Sequence, residues 1–237
     1  MTPLESGRRA DGTATSNEHG RLFTSGAYVH EFRPESPANP FAGVYAGKLE
    51  AILGLVGGRG LRVLDVGGGP GRMAAPLSHR HQVTLCDLSQ DMLRLARARS
   101  SGDVRRLLAA DARQLPFASG SFDVALCIDV LPHLPDPGPA LRELRRVLAP
   151  GGRLIVDSTN SIPAWTLAYP RYVGRRPGRW VATWRAGGVL PEWRTRVWHR
   201  RRAEFLVQVR DAGFQLRSTH SFGPRLCPKW HLAVAVR

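Results

Sequence analysis

Between residues 61 and 158 the chain alternates short apolar segments with segments of helical spacing, and this alternation constrains its fold more than any other feature. The apolar segments are LRVLDV, QVTLCD, VRRLLAAD, FDVALCID and RLIVDS, at 61–66, 82–87, 104–111, 122–129 and 153–158. Helices are predicted between them, near 72–78, from the capping residue Ser89 to about Arg99, and over 138–148. Near-continuous apolar strands that alternate with helices are typical of a parallel sheet covered on both faces. We therefore predict an α/β fold.

Four further elements are predicted outside this region: a helix over 40–56, a helix over 201–212, and strands at 214–221 and 231–237. Residues 159–200 show no clean period. Residues 1–20 are polar and rich in Gly, Ser and Thr, which predicts a mobile leader. A length of 237 residues accommodates one α/β domain with a small appendage.

The chain is strongly basic, with 34 Lys and Arg against 19 Asp and Glu and a formal net charge of +15. Such an excess ordinarily predicts a nucleic acid, an anionic lipid or an acidic substrate as partner. All but two of the basic residues, Lys48 and Lys229, are arginine, however. This skew, together with abundant Ala, Gly and Pro, is typical of a GC-rich genome. The charge therefore says less about partners than its size indicates.

Cysteine content and hydropathy bear on the compartment. Three cysteines, none in a CxxC pair, exclude a disulfide framework and a sulfur-rich zinc site. No apolar run approaches the length of a membrane-spanning helix, about 20 residues. The N-terminal segment lacks the apolar core of a secretory signal. These features predict a reduced, cytoplasmic protein.

A glycine-rich loop follows the first strand, in the segment VLDVGGGPG at 63–71. Glycines permit positive φ angles and a close approach of the backbone to a ligand, and the next helix presents free N–H groups at its N-terminus. Dinucleotide-binding enzymes share this layout, but their spacing is GxGxxG. This chain has GxGxG, formed by Gly67, Gly69 and Gly71, with Arg72 where another glycine could extend the pattern. We predict that these three glycines bind a ligand.

Acidic residues end four successive strands, and they are Asp65, Asp87, Asp111 and Asp129. In an open parallel sheet, ligands bind outside the carboxyl ends of the strands. A carboxylate at Asp87 can accept both ribose hydroxyls of a nucleoside, and one at Asp111 can accept a hydrogen bond from an adenine amino group. A single aspartate of this kind is ordinarily a loop or capping residue, but four at one edge favour a nucleoside site.

Residues 61–157 resemble the core of class I S-adenosylmethionine-dependent methyltransferases, and among these the small-molecule branch that includes the ubiquinone and menaquinone biosynthesis methyltransferases. The matching segments are VLDVGGGPGR, LCDLSQDMLRLARAR, AADARQLPF, FDVALCIDVLPHLPDP and LRELRRVLAPGGRLIV. The tail, DAGFQL followed by HLAVAVR, is similar to that family's final hairpin. The resemblance implies a Rossmann-like open sheet of about seven strands. It is expected to be mostly parallel, with an antiparallel C-terminal strand, helices on both faces and a small lid.

The resemblance also implies how the chain is divided. The leader at 1–20 is followed by a single methyltransferase domain over 21–237. Within this domain, 21–58 is expected to form an N-terminal helical cap and 159–200 a substrate lid. The cap folds over the cofactor pocket in the family, so Tyr28 is expected either to touch the ligand or to pack in the core.

S-adenosyl-L-methionine is the implied cofactor, and S-adenosyl-L-homocysteine (SAH) its product. Carried over residue by residue, the resemblance places Asp65 and Gly67 at the methionine amino end. The backbone at Ile128 and Asp129 is expected to close over the methionine part.

The adenosine part of the cofactor is assigned to the next two strand ends. Asp87 is expected to bind the ribose hydroxyls, with Leu88 against the adenine, and Asp111 and Ala112 are expected to contact the adenine edge.

Methyl transfer from a sulfonium is an in-line displacement, for which the protein must hold the acceptor close to the methyl carbon in a dry pocket. A general base is needed only if the acceptor must lose a proton. His133 is the candidate for this role or for a substrate contact, the alternative being that it packs on its loop. The carboxylate of Asp129 is a second candidate, and His30 and His199 are weaker ones. The family often has Glu where this chain has Pro132, which leaves any role of that Glu without a counterpart.

No metal is predicted, because the eight histidines show no HExxH or comparable spacing. The insert at 159–200 holds five of the six tryptophans: Trp165, Trp180, Trp184, Trp193 and Trp198. Over 171–202 it carries ten arginines against one acid, Glu192. Three interpretations stay open: a lid with solvated arginines, a lid that grips a flat and partly anionic substrate, and a patch that contacts a membrane surface.

The function hypothesis is methyl transfer from S-adenosylmethionine to a small-molecule acceptor at O, N or C, with a flat or aromatic specialised metabolite favoured. One alternative is a quinone or lipid methyltransferase at the membrane surface, as a peripheral contact. A nucleic-acid methyltransferase is disfavoured because the segment IDVLPH lacks the (N/D)PP(Y/F) pattern. A non-catalytic cofactor-binding homologue and a dehydrogenase complete the alternatives. Nothing in the sequence predicts the oligomeric state.

Overall fold

The computed structural model describes residues 42–99, 104, 106–160, 198–223, 228 and 230–237. The expected leader, the first part of the cap with Tyr28 and His30, and most of the insert lie outside the described residues. In chain order the elements are α1 (Ala42–Val56), β1 (Arg62–Val66), α2 (Ala74–Ser78), β2 (Gln82–Asp87), α3 (Gln90–Arg99), β3 (Arg106–Ala109), β4 (Phe122–Cys127), α4 (Gly138–Val147), β5 (Leu148–Thr159), α5 (Arg202–Asp211), β6 (Gln215–Phe222) and β7 (Trp230–Val236). A one-turn 3-10 helix at Leu131–His133 follows β4.

The strands form one seven-stranded sheet in the order β3-β2-β1-β4-β5-β7-β6. Strands β1 to β5 pair in parallel, and β7 is antiparallel to both of its neighbours. The prediction of a mostly parallel, Rossmann-like sheet with an antiparallel C-terminal strand is confirmed. The strand order reverses between β1 and β4, and open α/β sheets bind ligands at the carboxyl ends of the strands beside such a switch point.

Helices cover both faces, as predicted, because successive strand side chains point to opposite sides. Val63 packs in a core cluster with Ile52 of α1, while its neighbour Leu64 packs in the other cluster with Leu141 of α4 and Phe205 of α5. All five side chains are fully buried. The core on both faces holds the sheet in place. It therefore determines where the last residue of each strand lies.

The boundaries of several elements agree with the sequence predictions. Ser89 Oγ accepts a hydrogen bond from the Met92 N–H at 3.3 Å, which confirms it as the N-cap of α3. Strand β5 begins earlier than predicted, at Leu148, because Leu148 pairs with Phe122 before the register shifts and Arg153 pairs with Val124. Across the part of the chain that the structure describes, no helix combines the length and the apolar composition needed to cross a membrane.

Candidate functional site

The glycine loop after β1 is packed so closely that side chains do not fit at its start. A Cβ on Gly67 would overlap Val130 Cγ2, and Gly67 has φ +65°. A Cβ on Gly68 would lie 2.6 Å from Asp65 Oδ2 and 2.7 Å from Leu85 Cγ. At Gly69, in contrast, a Cβ would meet no atom within 4 Å, so the loop faces open space there. The loop is thus packed against a buried carboxyl group at Gly68 and open at Gly69.

Asp65 is that buried carboxyl group, and its side chain lies beneath the loop. The residue is 2% exposed, and the N–H of Ala74 at the start of α2 donates to its carboxyl group. Within the described residues, Oδ2 has no hydrogen-bond partner. Burial, and secondarily the charge of Asp87, raises the pKa of Asp65 to about 7. A buried carboxyl oxygen without a donor is suited to a ligand N–H group or a cation.

Asp87 ends β2 beside Asp65 and ties the loop to the second strand. Its Oδ2 accepts a hydrogen bond from the Gly69 N–H at 2.9 Å, and its Oδ1 accepts one from the Ser89 N–H at 2.8 Å. Burial raises the pKa of Asp87, although these backbone hydrogen bonds act in the opposite direction. Leu88 follows with its side chain exposed. The structure therefore brings Asp65, Gly69 and Asp87 together, as the sequence predicts.

Asp111 lies farther along the same edge, after β3, in a segment joined to β2 by a hydrogen bond from the Ala110 N–H to the Asp87 carbonyl at 3.1 Å. Its carboxylate accepts from the Arg113 guanidinium, with Nη2 2.6 Å from Oδ2, and from the Arg113 backbone N–H at 2.8 Å. These hydrogen bonds lower the pKa of Asp111. Ala112 is half-buried against the core. An adenine contact at Asp111 stays a prediction, and in this conformation its carboxylate faces Arg113.

The turn after β4 closes the other side of the site. Ile128 is buried, and Asp129 has φ +58°, a left-handed value that no other non-glycine residue shows within the described ranges. The Asp129 N–H donates to Asp157 Oδ1 at 2.7 Å. Its carboxylate accepts hydrogen bonds from Tyr45 Oη at 3.0 Å and from Trp230 Nε1 at 3.1 Å. Both the backbone and the side chain of Asp129 are therefore fixed.

Lys48 lies at the centre of this network, which sequence reasoning missed. It is fully buried, with Nζ 2.9 Å from Asp129 Oδ1 and 2.8 Å from Asp157 Oδ2. The same atom is 4.7 Å from the ring centroid of Tyr45 and 4.8 Å from that of Trp230. Burial acts to lower the pKa of Lys48, but the two carboxylates outweigh it and the pKa is raised. Burial raises the pKa of Asp157 to about 6, although Lys48 opposes this shift. The one available signal was a rare lysine within an apolar helix.

His133 lies on the 3-10 turn after β4 and is half-buried. The end of the insert packs against this turn, because the Trp198 N–H donates to the Pro132 carbonyl at 2.7 Å. His199 Nδ1 is 3.0 Å from Thr159 Oγ1, at the end of β5. The structure thus brings the segments of both histidines to the carboxyl edge, on the side of β4 and β5. A catalytic role of His133 stays a prediction.

Arg200 holds this arrangement together and is 3% exposed. Its guanidinium donates to the Leu131 carbonyl at 2.8 Å and to the Leu134 carbonyl at 2.6 Å, with further hydrogen bonds to Trp198 and Pro135. Burial lowers the pKa of Arg200, and a guanidinium remains charged when buried. Arg200 therefore holds the post-β4 turn from the insert side through three carbonyl contacts, to Leu131, Leu134 and Pro135.

Comparison with known proteins gives a family match and distant relatives. The methyltransferase domain family matches residues 64–156. The ubiquinone/menaquinone biosynthesis C-methyltransferase of Shewanella frigidimarina is 39% identical over 105 residues, covering 41% of this chain and 42% of that protein. The ubiquinone biosynthesis O-methyltransferase of Xanthomonas oryzae is 31% identical over 134 residues, covering 55% and 56%. The chain thus spans about half the length of the curated relatives it matches.

Two solved structures share the fold over nearly the whole chain. Magnesium protoporphyrin IX methyltransferase from Synechocystis, with bound SAH, has a TM-score of 0.69 at 20% identity and covers 94% of this chain and 99% of its own. The [4+2]-cyclase SpnF has a TM-score of 0.66 at 18% identity, covering 95% and 97%. The resemblance drawn from the sequence is confirmed: residues 64–156 match a methyltransferase domain, and the fold is the one these enzymes share.

Proposed function

We propose that this protein transfers a methyl group from S-adenosyl-L-methionine to a small-molecule acceptor and releases SAH. The observation that carries the proposal is the pair of carboxyl groups under and beside the glycine loop. Asp65 is buried with Oδ2 unpartnered within the described ranges, and Asp87 lies on the adjacent strand end. The match of residues 64–156 to the methyltransferase domain family supports the same activity.

The residues at the edge fit the cofactor chemically. Its methionine part carries an ammonium group, for which the Asp65 carboxylate supplies a buried acceptor whose Oδ2 has no donor among the residues that the structure describes. Its ribose carries two hydroxyls, for which Asp87 supplies a carboxylate already oriented by two backbone N–H groups. When bound, the cofactor supplies an electrophilic methyl group on sulfur.

The chain's own contribution to transfer is positioning and the exclusion of water. The packed start of the glycine loop and the Ile128–Asp129 turn enclose the methionine end. The turn that carries His133 is held by Arg200. We therefore propose that the acceptor binds on the β4 and β5 side, where the insert returns to the sheet.

Between the two candidate bases, the contacts favour His133. The Asp129 carboxylate already accepts hydrogen bonds from Lys48, Tyr45 and Trp230, so its lone pairs are occupied and it is poorly placed to take a proton. We propose that His133 accepts the acceptor's proton or contacts the substrate. Because the relatives' names describe C- and O-methylation of quinone precursors, a flat aromatic ring is the acceptor class to test first.

The test is transfer of labelled methyl from S-adenosylmethionine to a panel of hydroxylated and amino aromatic acceptors. We expect His133→Ala to lower turnover by about 100-fold, the lower end of the range for general acid–base catalysis, with little change in SAH affinity. His79→Ala, at an exposed position after α2, is the control. Equal turnover in His133→Ala and the control would remove His133 from the chemistry.

A second candidate is binding of the cofactor without methyl transfer. The chain shares its fold with a [4+2]-cyclase, and one fold can carry different chemistries. This candidate is therefore retained. Retained SAH affinity without turnover on any acceptor would support this candidate over methyl transfer.

A cytoplasmic location is proposed with the function, supported by the free, buried thiols of Cys86 and Cys127. We also propose a single domain over 21–237 with a cap and a lid. Peripheral contact with a membrane remains a proposal as well.

A further inference from the structure

We propose that Lys48 and Asp157 are positioning residues: together they hold Asp129 in its left-handed conformation, so that the turn after β4 is preformed for the cofactor. The inference rests on the proposed function and assigns a role to a network that lies mostly outside the matched methyltransferase domain. Of its five members, only Asp129 lies within residues 64–156.

The Asp129 turn needs a restraint. At φ +58° the Cβ of an L-residue is crowded against its own backbone, which disfavours this conformation for residues other than glycine. Asp tolerates it better than most residues, but a free Asp turn samples other conformations as well. A turn that must meet a ligand in one shape therefore gains from contacts that hold it.

The Asp157 carboxylate supplies that restraint at the backbone. Its Oδ1 accepts the Asp129 N–H at 2.7 Å, and its Oδ2 accepts from Lys48 Nζ at 2.8 Å. Lys48 also donates to the side chain of Asp129, so one ammonium group links both carboxylates. Lys48 and Asp157 are both fully buried, and removing one alone would leave an uncompensated buried charge.

The restrained turn touches the glycine loop directly. Val130 follows Asp129, and its Cγ2 occupies the space where a side chain on Gly67 would lie. A rotation of the turn at Asp129 would displace Val130 from this position beside Gly67. The shape of the loop at the methionine end therefore depends on the conformation of Asp129.

The network also joins helix α1 to this turn. Tyr45 and Lys48 both lie on α1, and the Tyr45 ring meets the Trp230 ring edge to face with centroids 5.9 Å apart. If the cofactor needs the turn in its left-handed form, its binding and the docking of α1 favour each other by the same factor.

The first experiment compares two substitutions that both delete the Asp129 carboxylate. Glycine adopts φ +58° freely, whereas alanine does not. We expect Asp129→Gly to bind SAH about tenfold more tightly than Asp129→Ala, measured by titration calorimetry. Equal affinities of these two variants would overturn the proposal, because the backbone conformation would then not matter.

The second experiment weakens the restraint: it deletes the ammonium link between the two carboxylates and leaves a neutral amide oxygen as the acceptor of the Asp129 N–H. The Asp129 carboxylate, 34% exposed, keeps Tyr45 and Trp230 as donors. Lys48→Met with Asp157→Asn keeps the approximate side-chain shapes and makes the pair neutral. We expect SAH affinity to fall about fivefold to tenfold. Addition of Asp129→Gly, but not of Asp129→Ala, to this double variant is expected to restore at least a threefold part of the loss, because both delete the carboxylate and only glycine adopts the left-handed conformation freely. A purely stabilising pair would lower the melting temperature, but glycine would then restore no affinity.

The matched control is Arg62→Met with Asp123→Asn. This ion pair has the same design, since Asp123 Oδ2 accepts the Arg62 backbone N–H at 2.8 Å while Oδ1 accepts from the Arg62 guanidinium at 2.6 Å. It lies at the opposite edge of β1 and β4. We expect its SAH affinity to stay within twofold of the natural protein; an equal loss in both double variants would overturn the positioning role.

Amide hydrogen exchange tests the link to α1. At saturating SAH, exchange in residues 42–56 is expected to slow in the natural protein and to slow less in Lys48→Met with Asp157→Asn; the same slowing in both would contradict the link.

Failure of the positioning role is distinct from failure of the proposed function. If the natural protein itself binds neither SAH nor S-adenosylmethionine, the cofactor assignment fails, whereas SAH binding that ignores these substitutions rejects only the role of Lys48 and Asp157.

Discussion

At the scale of single residues, Asp65 and Asp87 show why a folded protein keeps carboxyl groups where their charge is disfavoured. Burial raises the pKa of both. A burial cost of this kind is offset when a ligand supplies the missing donors. The glycine loop brings the Gly69 N–H to Asp87 and leaves Asp65 Oδ2 without a donor among the described residues.

The pKa of about 7 at Asp65 predicts a pH dependence of cofactor binding. The folded-state pKa lies above the ordinary value of 3.8, so the carboxyl group is mainly protonated below pH 7. An ion pair with the cofactor ammonium is then fully available above pH 7 and is lost as the pH falls. We expect SAH affinity to weaken by up to about tenfold per pH unit below this value, measured by calorimetry between about pH 5.5 and 7.5.

Asp65→Asn is the control for this pH dependence. The amide does not titrate, so the variant should bind more weakly and with a flat pH profile. A flat profile in the natural protein would show that Asp65 does not pair with the cofactor.

Asp87→Ala is expected to weaken SAH binding by about 10- to 100-fold, because it removes charge-assisted hydrogen bonds worth about 1.5–3 kcal/mol. The substitution also removes the acceptor of the hydrogen bond that the Gly69 N–H donates. Asp91→Ala, which removes a carboxylate paired with Arg94 on exposed α3, is the matched control and should bind as the natural protein does. Unchanged affinity in Asp87→Ala would take Asp87 out of the site.

At the scale of elements, the sequence predicted most strands and helices because each carries its own pattern. The segment 82–87 is a strand as predicted, and Ser89 caps the next helix. The start of β5 was predicted too late because Pro150, Gly151 and Gly152 look like a break. In the fold, residues 149–152 are a bulge between two paired stretches, with Gly151 at φ +73°.

The candidate site was predictable where it lies in contiguous motifs and unpredictable where distant segments meet. Asp65 and Asp87 stand at recognisable strand ends. The Lys48–Asp157 pair joins residues 109 positions apart, and no local pattern announces such a contact. A lysine in helix α1 would ordinarily be placed on the solvent side. Its burial follows only from contacts with distant segments, namely Asp129 after β4, Asp157 of β5 and Trp230 of β7.

The hydrogen bonds of Arg200 join the end of the insert to the turn after β4. In Arg200→Lys, the ammonium group cannot donate to as many carbonyl groups as the planar guanidinium does. Buried carbonyl groups therefore lose their donor. We expect a loss of about 2 kcal/mol in the free energy of unfolding, and a fall of about 4–8 °C in the melting temperature measured by calorimetry.

Arg201→Lys, at the exposed neighbouring position, is the control and should unfold within about 0.5 kcal/mol of the natural protein. If the two variants unfold alike, the three contacts from Arg200 to carbonyl groups of the turn do not hold it.

At the scale of the whole molecule, a protein of net charge +15 has a row of acidic residues at the carboxyl edge of its sheet. Asp65, Asp87, Asp129 and Asp157 lie at the carboxyl ends of β1, β2, β4 and β5, with Lys48 buried among the last two. The excess of arginine therefore does not predict the charge of the candidate site. A ligand with a sulfonium and an ammonium group suits this edge, whereas the total charge alone would predict an anion.

The measurement that decides whether this edge is a cofactor site is titration calorimetry of the natural protein with SAH at pH 7.5. One cofactor site per chain predicts saturable binding of one SAH, with a dissociation constant below about 1 mM, the upper range of substrate constants for enzymes. Absence of binding up to about 1 mM, in protein whose melting curve shows that it is folded, would contradict the assignment.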